Sequence, residues 1–213
     1  MLSKRIVLLV FLLFQSSFLF SQEDWKLIKD TDSIKVFSKS EDKNKFDTFK
    51  GTVTVNSSIH NFISVLNTIE IFPKWGHNIK EANLLERTGD TLQIYYSVAK
   101  APFPYKNRDG IYLNRFRWQS KTKTLTVDIE ILEDYLALDD KFVRVKGNGY
   151  WKIKRLSNDK IHVTFSMQID PGGSIPTWLA NMFVEDTPFN TLLNLKTLLE
   201  SDDFVKYTYD FID

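Results

Sequence analysis

The 213-residue chain has no cysteine. That excludes disulfide staples, thiol nucleophiles, iron–sulfur clusters, cysteine-ligated zinc and the acylated cysteine of a lipid-anchored bacterial lipoprotein. Histidine is scarce as well: only His60, His77 and His162 occur. They form no HExxH and no pair at ligand spacing, so no metal is expected. His162 falls on the polar face of its strand and reads as a solvated side chain. A surplus of either charge is also lacking, with 28 Lys and Arg against 27 Asp and Glu. A nucleic-acid binder normally needs a basic excess, so nucleic acid is not an expected partner. The Walker loop, the GxGxxG turn and the G-x-S-x-G elbow are absent. Gly147-Asn148-Gly149 lies within a strand pattern rather than at the strand-to-helix turn of a phosphate cradle. The adjacent pairs Asp139-Asp140 and Asp202-Asp203 do not converge on one face, which argues against paired-carboxylate chemistry. No enzyme class has positive support, and no cofactor is expected.

No run is long enough to span a membrane as a helix. Residues 6–20 are 15 in number and include Gln15, Ser16 and Ser17, against about 20 apolar residues for a spanning helix. Preceded by Lys4-Arg5 and ending at Ser21, the segment reads as a secretory signal peptide over 1–21. Its removal leaves 26 basic against 27 acidic side chains. The mature chain, 22–213, is then expected in the periplasm or secreted, folding without disulfides as one domain and as a monomer.

What the chain has is apolar volume: 43% hydrophobic residues and 17 Phe, too much for a disordered chain. Period-two alternation dominates the middle. Leu92, Ile94, Tyr96 and Val98 alternate with Gln93, Tyr95, Ser97 and Ala99. Residues 124–131 and 161–170 alternate likewise, the pattern of antiparallel strands covered on one side. Segments 25–29, 34–39, 45–55, 109–118 and 143–156 also read as strands, with Gly147 and Gly149 marking a bend or bulge. Two segments have helical spacing. After the capping run Asn56-Ser57-Ser58, a helix carries Ile59, Phe62, Ile63, Leu66 and Ile69 and ends near Pro73. A longer one runs from Trp178 to Leu199, with Pro188 predicting a kink or a restart capped by Thr187. The order suits an α+β fold, an antiparallel sheet curling around a C-terminal helix.

The apolar parity places Tyr96, Val98, Ile129, Val145, Phe165 and Met167 on the concave wall. Gly147 and Gly149 share that parity and are expected to leave space there. Two segments carry the functional alternatives. In PFPYKNRD (102–109), two prolines flank Phe103 and adjacent opposite charges open a strand. The plain account is a rigid loop and an edge ion pair; the functional one sets Arg108 at the mouth of an apolar cavity. In 170–189, Pro171-Gly172-Gly173 leads into the last helix, whose apolar stripe is either ordinary core packing or a lid hinged at the glycines.

On these two stretches the sequence resembles the START family, the lipid-transfer domains related to steroidogenic acute regulatory protein. DPGGSIPTW (170–178), PFNTL (188–192), WKLIKD (25–30), IKVF (34–37) and FPKW (72–75) carry the rest of the resemblance, in order along the chain. The resemblance implies a helix-grip fold: a curved antiparallel sheet wrapped around a long C-terminal helix, enclosing a hydrophobic cavity for one lipid or sterol carried without covalent change. Arg108 matches the family's strand-opening arginine, which meets the ligand head group in some phospholipid-binding members, and Asp109 would be its neighbouring partner. Trp178, Met182, Phe183 and Phe189 match the lid helix, and Trp118 would add aromatic surface inside the tunnel. The expected function is binding and transfer of a hydrophobic ligand, with transient membrane contact. The alternatives are a helix-grip cyclase or hydrolase acting on an apolar substrate, and an interaction module without a cavity.

Overall fold

The computed structural model describes residues 25–40, 46–173, 175–176, 184–201 and 203–213. The expected signal peptide lies outside them, as do Trp178, Met182 and Phe183. Alternation produces the strands as expected: β1 (Lys26–Thr31), β2 (Ile34–Lys39), β3 (Thr48–Val55), β5 (Leu92–Ala99), β6 (Arg108–Gln119), β7 (Thr124–Ile131), β9 (Lys146–Ser157) and β10 (Lys160–Asp170). Two strands carry no such signal. In β4 (Ile79–Thr88) only Ala82 is buried, so an edge strand with bulges at 79/81 and 84/86 has no apolar face to reveal it. The other is β8 (Val143–Arg144), a two-residue strand parallel to β6 and separate from β9.

The strands form one sheet in the order β1-β2-β3-β10-β9-β7-β6-β5-β4, antiparallel along that path. Helix α1 (Ile59–Asn67) starts where the serine pair predicts, with Ser58 Oγ accepting from Asn61 N at 3.1 Å. A 3₁₀ turn follows over Ile69–Ile71, and α2 (Phe72–Trp75) takes Pro73 in its first turn, where the missing donor costs nothing. Helix α3 (Asp186–Ser201) likewise holds Pro188 in its first turn, but Thr187 lies inside the helix rather than capping it, so the restart capped by Thr187 is not realised. Its buried Pro188, Leu192, Leu195 and Leu199 repeat at helical spacing and face the sheet. The approach is close: a Cβ on Gly51 of β3 would lie 2.6 Å from Leu192 Cδ1. The segment 203–213 returns across α1, where Tyr207 N donates to Ser64 Oγ and Tyr209 N to His60 Nδ1, both at 3.1 Å.

The core fills the concave side. Trp151 stacks on Phe165 with centroids 4.0 Å apart, while Phe49 and Phe62 meet that pair edge-on. Two expectations about its walls are corrected. On β5 the inward residues are Gln93, Tyr95, Ser97 and Ala99. Ile94, Ile111 and Leu113 form a separate cluster on the convex face, with Leu92, Tyr96 and Leu132 packed against it. Both faces of β5 are covered, so its alternation could not say which face was inner. Nor do the glycines leave space. A Cβ on Gly149 would meet Met167 Sδ and Ser166 O, and one on Gly147 would meet Gln168 O. They let β10 approach β9, and Gly147 bends the chain at φ +134° without a bulge.

Candidate functional site

Between the sheet floor, the α1–α2 connection and α3 lies a cavity. About 110 Å³ of it is open to the centres of water-sized molecules, and its whole envelope, mouth included, is about 1100 Å³. One water needs roughly 10–15 Å³ on the first measure, so the hollow has room for a ligand rather than a trapped solvent molecule. The wall is largely apolar and aromatic. Phe49, Ile129, Val145, Trp151, Phe165, Met167 and Ile169 come from the sheet; Leu66, Ile69, Phe72 and Trp75 come from the helical side. Exposed Asn78 and Lys100 also line it and join through Lys100 N–H to the Asn78 carbonyl at 2.8 Å.

Of the residues expected to bind ligand, Arg108, Ile129, Val145, Phe165 and Met167 line this cavity. Arg108 is 4% exposed. It donates from Nε to Pro171 O at 3.3 Å and from Nη1 to Lys106 O at 2.6 Å, and no carboxylate pairs with it among the described residues. Burial lowers its pKa, yet a guanidinium stays charged. Asp109 is not its partner. Successive strand residues point to opposite faces, and the Asp109 carboxylate sits on the convex side, gripped by Arg144 Nε at 3.0 Å and Nη2 at 2.8 Å.

The other expected site residues lie elsewhere. Tyr96 and Val98 take the convex face with Asp109, and Tyr96 is pushed up to about 12 by burial and by that carboxylate. Phe103 is 97% exposed at the loop between β5 and β6. Trp118 lies towards the far end of β6, its Nε1 donating to the Asp213 carboxylate and its ring under the Arg155 guanidinium. Phe189 is buried beneath Lys29 Nζ, 4.1 Å above its ring. The helix instead presents Thr187 and Thr191 to the cavity.

Residues missed by the apolar parity include Tyr95, Tyr112, Asn114, Trp75 and His77. Counting by twos from Arg108 along β6 would have found Tyr112 and Asn114. The Tyr95 and Tyr112 rings stack at 5.1 Å. Burial raises both phenols, Tyr112 to about 12 against an opposing hydrogen bond with Ser97, so both are neutral donors at physiological pH. His77 is lowered chiefly by burial; its Nε2 meets Asn78 Nδ2 at 3.0 Å and its N–H donates to Thr191 Oγ1 at 3.2 Å. Among the described residues the cavity wall has no Asp or Glu. The site can thus solvate a long apolar body and offer cationic and phenolic donors; the Asp186 carboxylate at the start of α3 acts on His77 but does not line the cavity among the described residues.

The family model described as START domain matches residues 12–200. An uncharacterized protein of Pseudomonas aeruginosa is 30% identical over 179 residues, covering 84% of this chain and 88% of that protein. The phosphatidylcholine transfer protein of Rattus norvegicus is 25% identical over 171 residues, 74% of this chain and 75% of its own. Among solved structures, the STAR-related lipid transfer protein from Xanthomonas axonopodis superposes with a TM-score of 0.76 at 35% identity, over 83% of this chain and 98% of that one.

Proposed function

The chain belongs to the START domain family, and from that we propose that it binds one amphipathic lipid non-covalently and carries it between membranes outside the cytoplasm. The observation that carries this reading is Arg108: a nearly dry guanidinium with no carboxylate partner among the described residues, opening onto an apolar cavity. A charged group is costly to bury unless something compensates it, and a phosphate or carboxylate head group fits that need through a charge-assisted bond. Burying about 400 Å² of acyl surface would contribute roughly 10 kcal/mol before the costs of association. The absence of a carboxylate on the described cavity wall favours carriage over acid–base catalysis. Exposed Phe103 and Leu138, the latter at 75%, supply apolar side chains for brief membrane contact. Residues 1–21 supply the export signal.

The test is uptake by delipidated protein from vesicles of phosphatidylcholine and cholesterol, read by native mass spectrometry. We expect phospholipid to be bound, and Arg108→Ala to weaken it more than the sterol. Equal loss of both would make Arg108 structural, and no uptake of any lipid would refute the carrier. Export is checked by N-terminal sequencing of the mature protein, which should begin at Gln22; a full-length form confined to the cytoplasm refutes it.

A further inference from the structure

We propose that the convex face of the sheet docks on an anionic lipid bilayer through Lys35, Lys50, Lys152 and Lys154, while the cavity opens on the opposite side. The ladder registers set these side chains together. Lys35, Thr52, Thr164 and Lys152 stand abreast across β2, β3, β10 and β9, with Lys50 two residues along β3 and Lys154 two along β9. Their strand neighbours Val36, Phe49, Val53 and Ile153 are buried in the core, so the four lysines take the outer face. At about 4.8 Å per strand and 3.4 Å per residue, their backbones fall within about 16 Å of one another.

The chain as a whole is almost neutral, with 28 basic and 27 acidic side chains, but the charges are segregated. The strands β2, β3, β9 and β10 contain a single acidic residue, Asp170, at the last position of β10 opposite Lys146. Acids that border the face are engaged elsewhere: Asp128 grips Arg117 at 2.8 and 2.9 Å, Glu130 meets Arg115 at 2.8 Å and Glu133 meets Lys146 at 2.5 Å. Asp30 reaches Lys35 at 3.4 Å, an exposed pair that a competing anion can open. Lys152 and Lys154 are exposed and have no carboxylate partner among the described residues. A bilayer suits this face better than an acidic protein does. Short Thr52, Thr54 and Thr164 stand between the lysines, so the charges project above a shallow floor that a planar array of head groups meets all at once. Lys50 Nζ also lies 4.0 Å from the Trp25 ring and 5.1 Å from that of Phe37, and cations with aromatic rings belong together at head-group depth. A carrier held this way turns its cavity towards a second membrane.

The experiment is acetylation of lysines in the full chain, with and without phosphatidylglycerol vesicles, read residue by residue by mass spectrometry. Lys35, Lys152 and Lys154 should be shielded by the vesicles, and Lys74 on α2 and Lys80 on β4 should stay reactive. Phosphatidylcholine vesicles should shield none of the three. A lysine near an anionic surface strengthens binding roughly five-fold, so Lys152→Gln with Lys154→Gln should weaken sedimentation with phosphatidylglycerol on the order of twenty-fold. The same charge change at Lys74 and Lys80 should do far less. At 1 M salt, where the Debye length is about 3 Å, the shielding should vanish. Equal shielding of Lys74 and Lys80, or a double variant that binds as tightly as the parent, overturns the docking face. Capture of polyglutamate through Lys152 and Lys154 without any hold on vesicles also overturns it, in favour of an acidic protein partner. The cavity lies on the other face, so lipid uptake that survives these results leaves the carrier standing, and lost uptake with docking intact overturns the carrier alone.

Discussion

Asp109 and Arg108 are neighbours in sequence with opposite fates, and Asp109→Ala separates them by experiment. The Asp109 and Arg144 side chains are 3% and 6% exposed, joined by a two-pronged pair. Removing one member of such a buried pair costs about 3–5 kcal/mol, because the other charge is left uncompensated. Arg144 also donates to the carbonyls of Glu133 at 2.8 Å, Leu136 at 3.2 Å and Ala137 at 3.4 Å. Those acceptors survive the substitution and put the loss at the lower end, about 3 kcal/mol. With an m-value near 2 kcal/mol/M, the urea midpoint should fall by about 1.5 M. Because Arg144 pins 133–137 through those carbonyls, amide exchange there should quicken more than in β9 or β10. Lipid uptake by the folded variant should persist, since Asp109 faces away from the cavity. A midpoint change equivalent to less than about 1 kcal/mol, or loss of uptake from protein that is still folded, would refute the assignment of these two residues to opposite faces.

Gly149→Ala would set a methyl against Ser166 O and Met167 Sδ; thermal unfolding should show a loss of about 3 kcal/mol, and a neutral result would mean β9 and β10 are not held that closely. Stability should decline as pH falls below 6.5. His60, His77 and His162 all have lowered folded pKa values, burial being the first cause in each and Arg155 a second at His60. Their unfolded forms therefore bind protons first, so their contribution is complete above 6.5 and lost as pH drops towards the folded values. In urea melts, His60→Gln should flatten part of that slope, and an unchanged slope removes His60 from the account. Phe103→Ser should leave the melting temperature unchanged, the side chain being exposed, while reducing co-sedimentation with phosphatidylcholine vesicles; undiminished vesicle binding would dismiss Phe103 as a membrane contact.

The fold was legible where burial is one-sided. In β7 and β10 the residues Leu125, Val127, Val163 and Phe165 are buried inward while Thr126, Asp128, His162 and Thr164 between and beside them are only half-buried, so period two marks both strand and face. It failed at β4, whose edge position buries almost nothing, and at β8, too short to show any period. The capping serine before α1 was readable because it acts locally, through a hydrogen bond, whereas Pro73, expected to end that helix, sits in the first turn of α2 after α1 has already stopped at Asn67.

The site was half legible for a related reason. Alternation states which residues share a face but not which face is concave, and apolarity decides only if the other face is wet. On β5 that condition fails. Leu132 packs with Ile94, Ile111, Leu113 and Tyr96 on the convex side, so that side is as greasy as a core. The concave side is the more polar one: Gln93 reaches the Leu66 carbonyl at 3.0 Å and Tyr95 lines the cavity. The error and the function have one origin. A wall built to hold a ligand with polar groups must itself carry polar groups inward, and a reading that sends polar residues outward will misplace such residues first. Asn114 on β6 is the sharpest instance: its polarity would send it outward, yet it is 1% exposed and lines the cavity from the concave face.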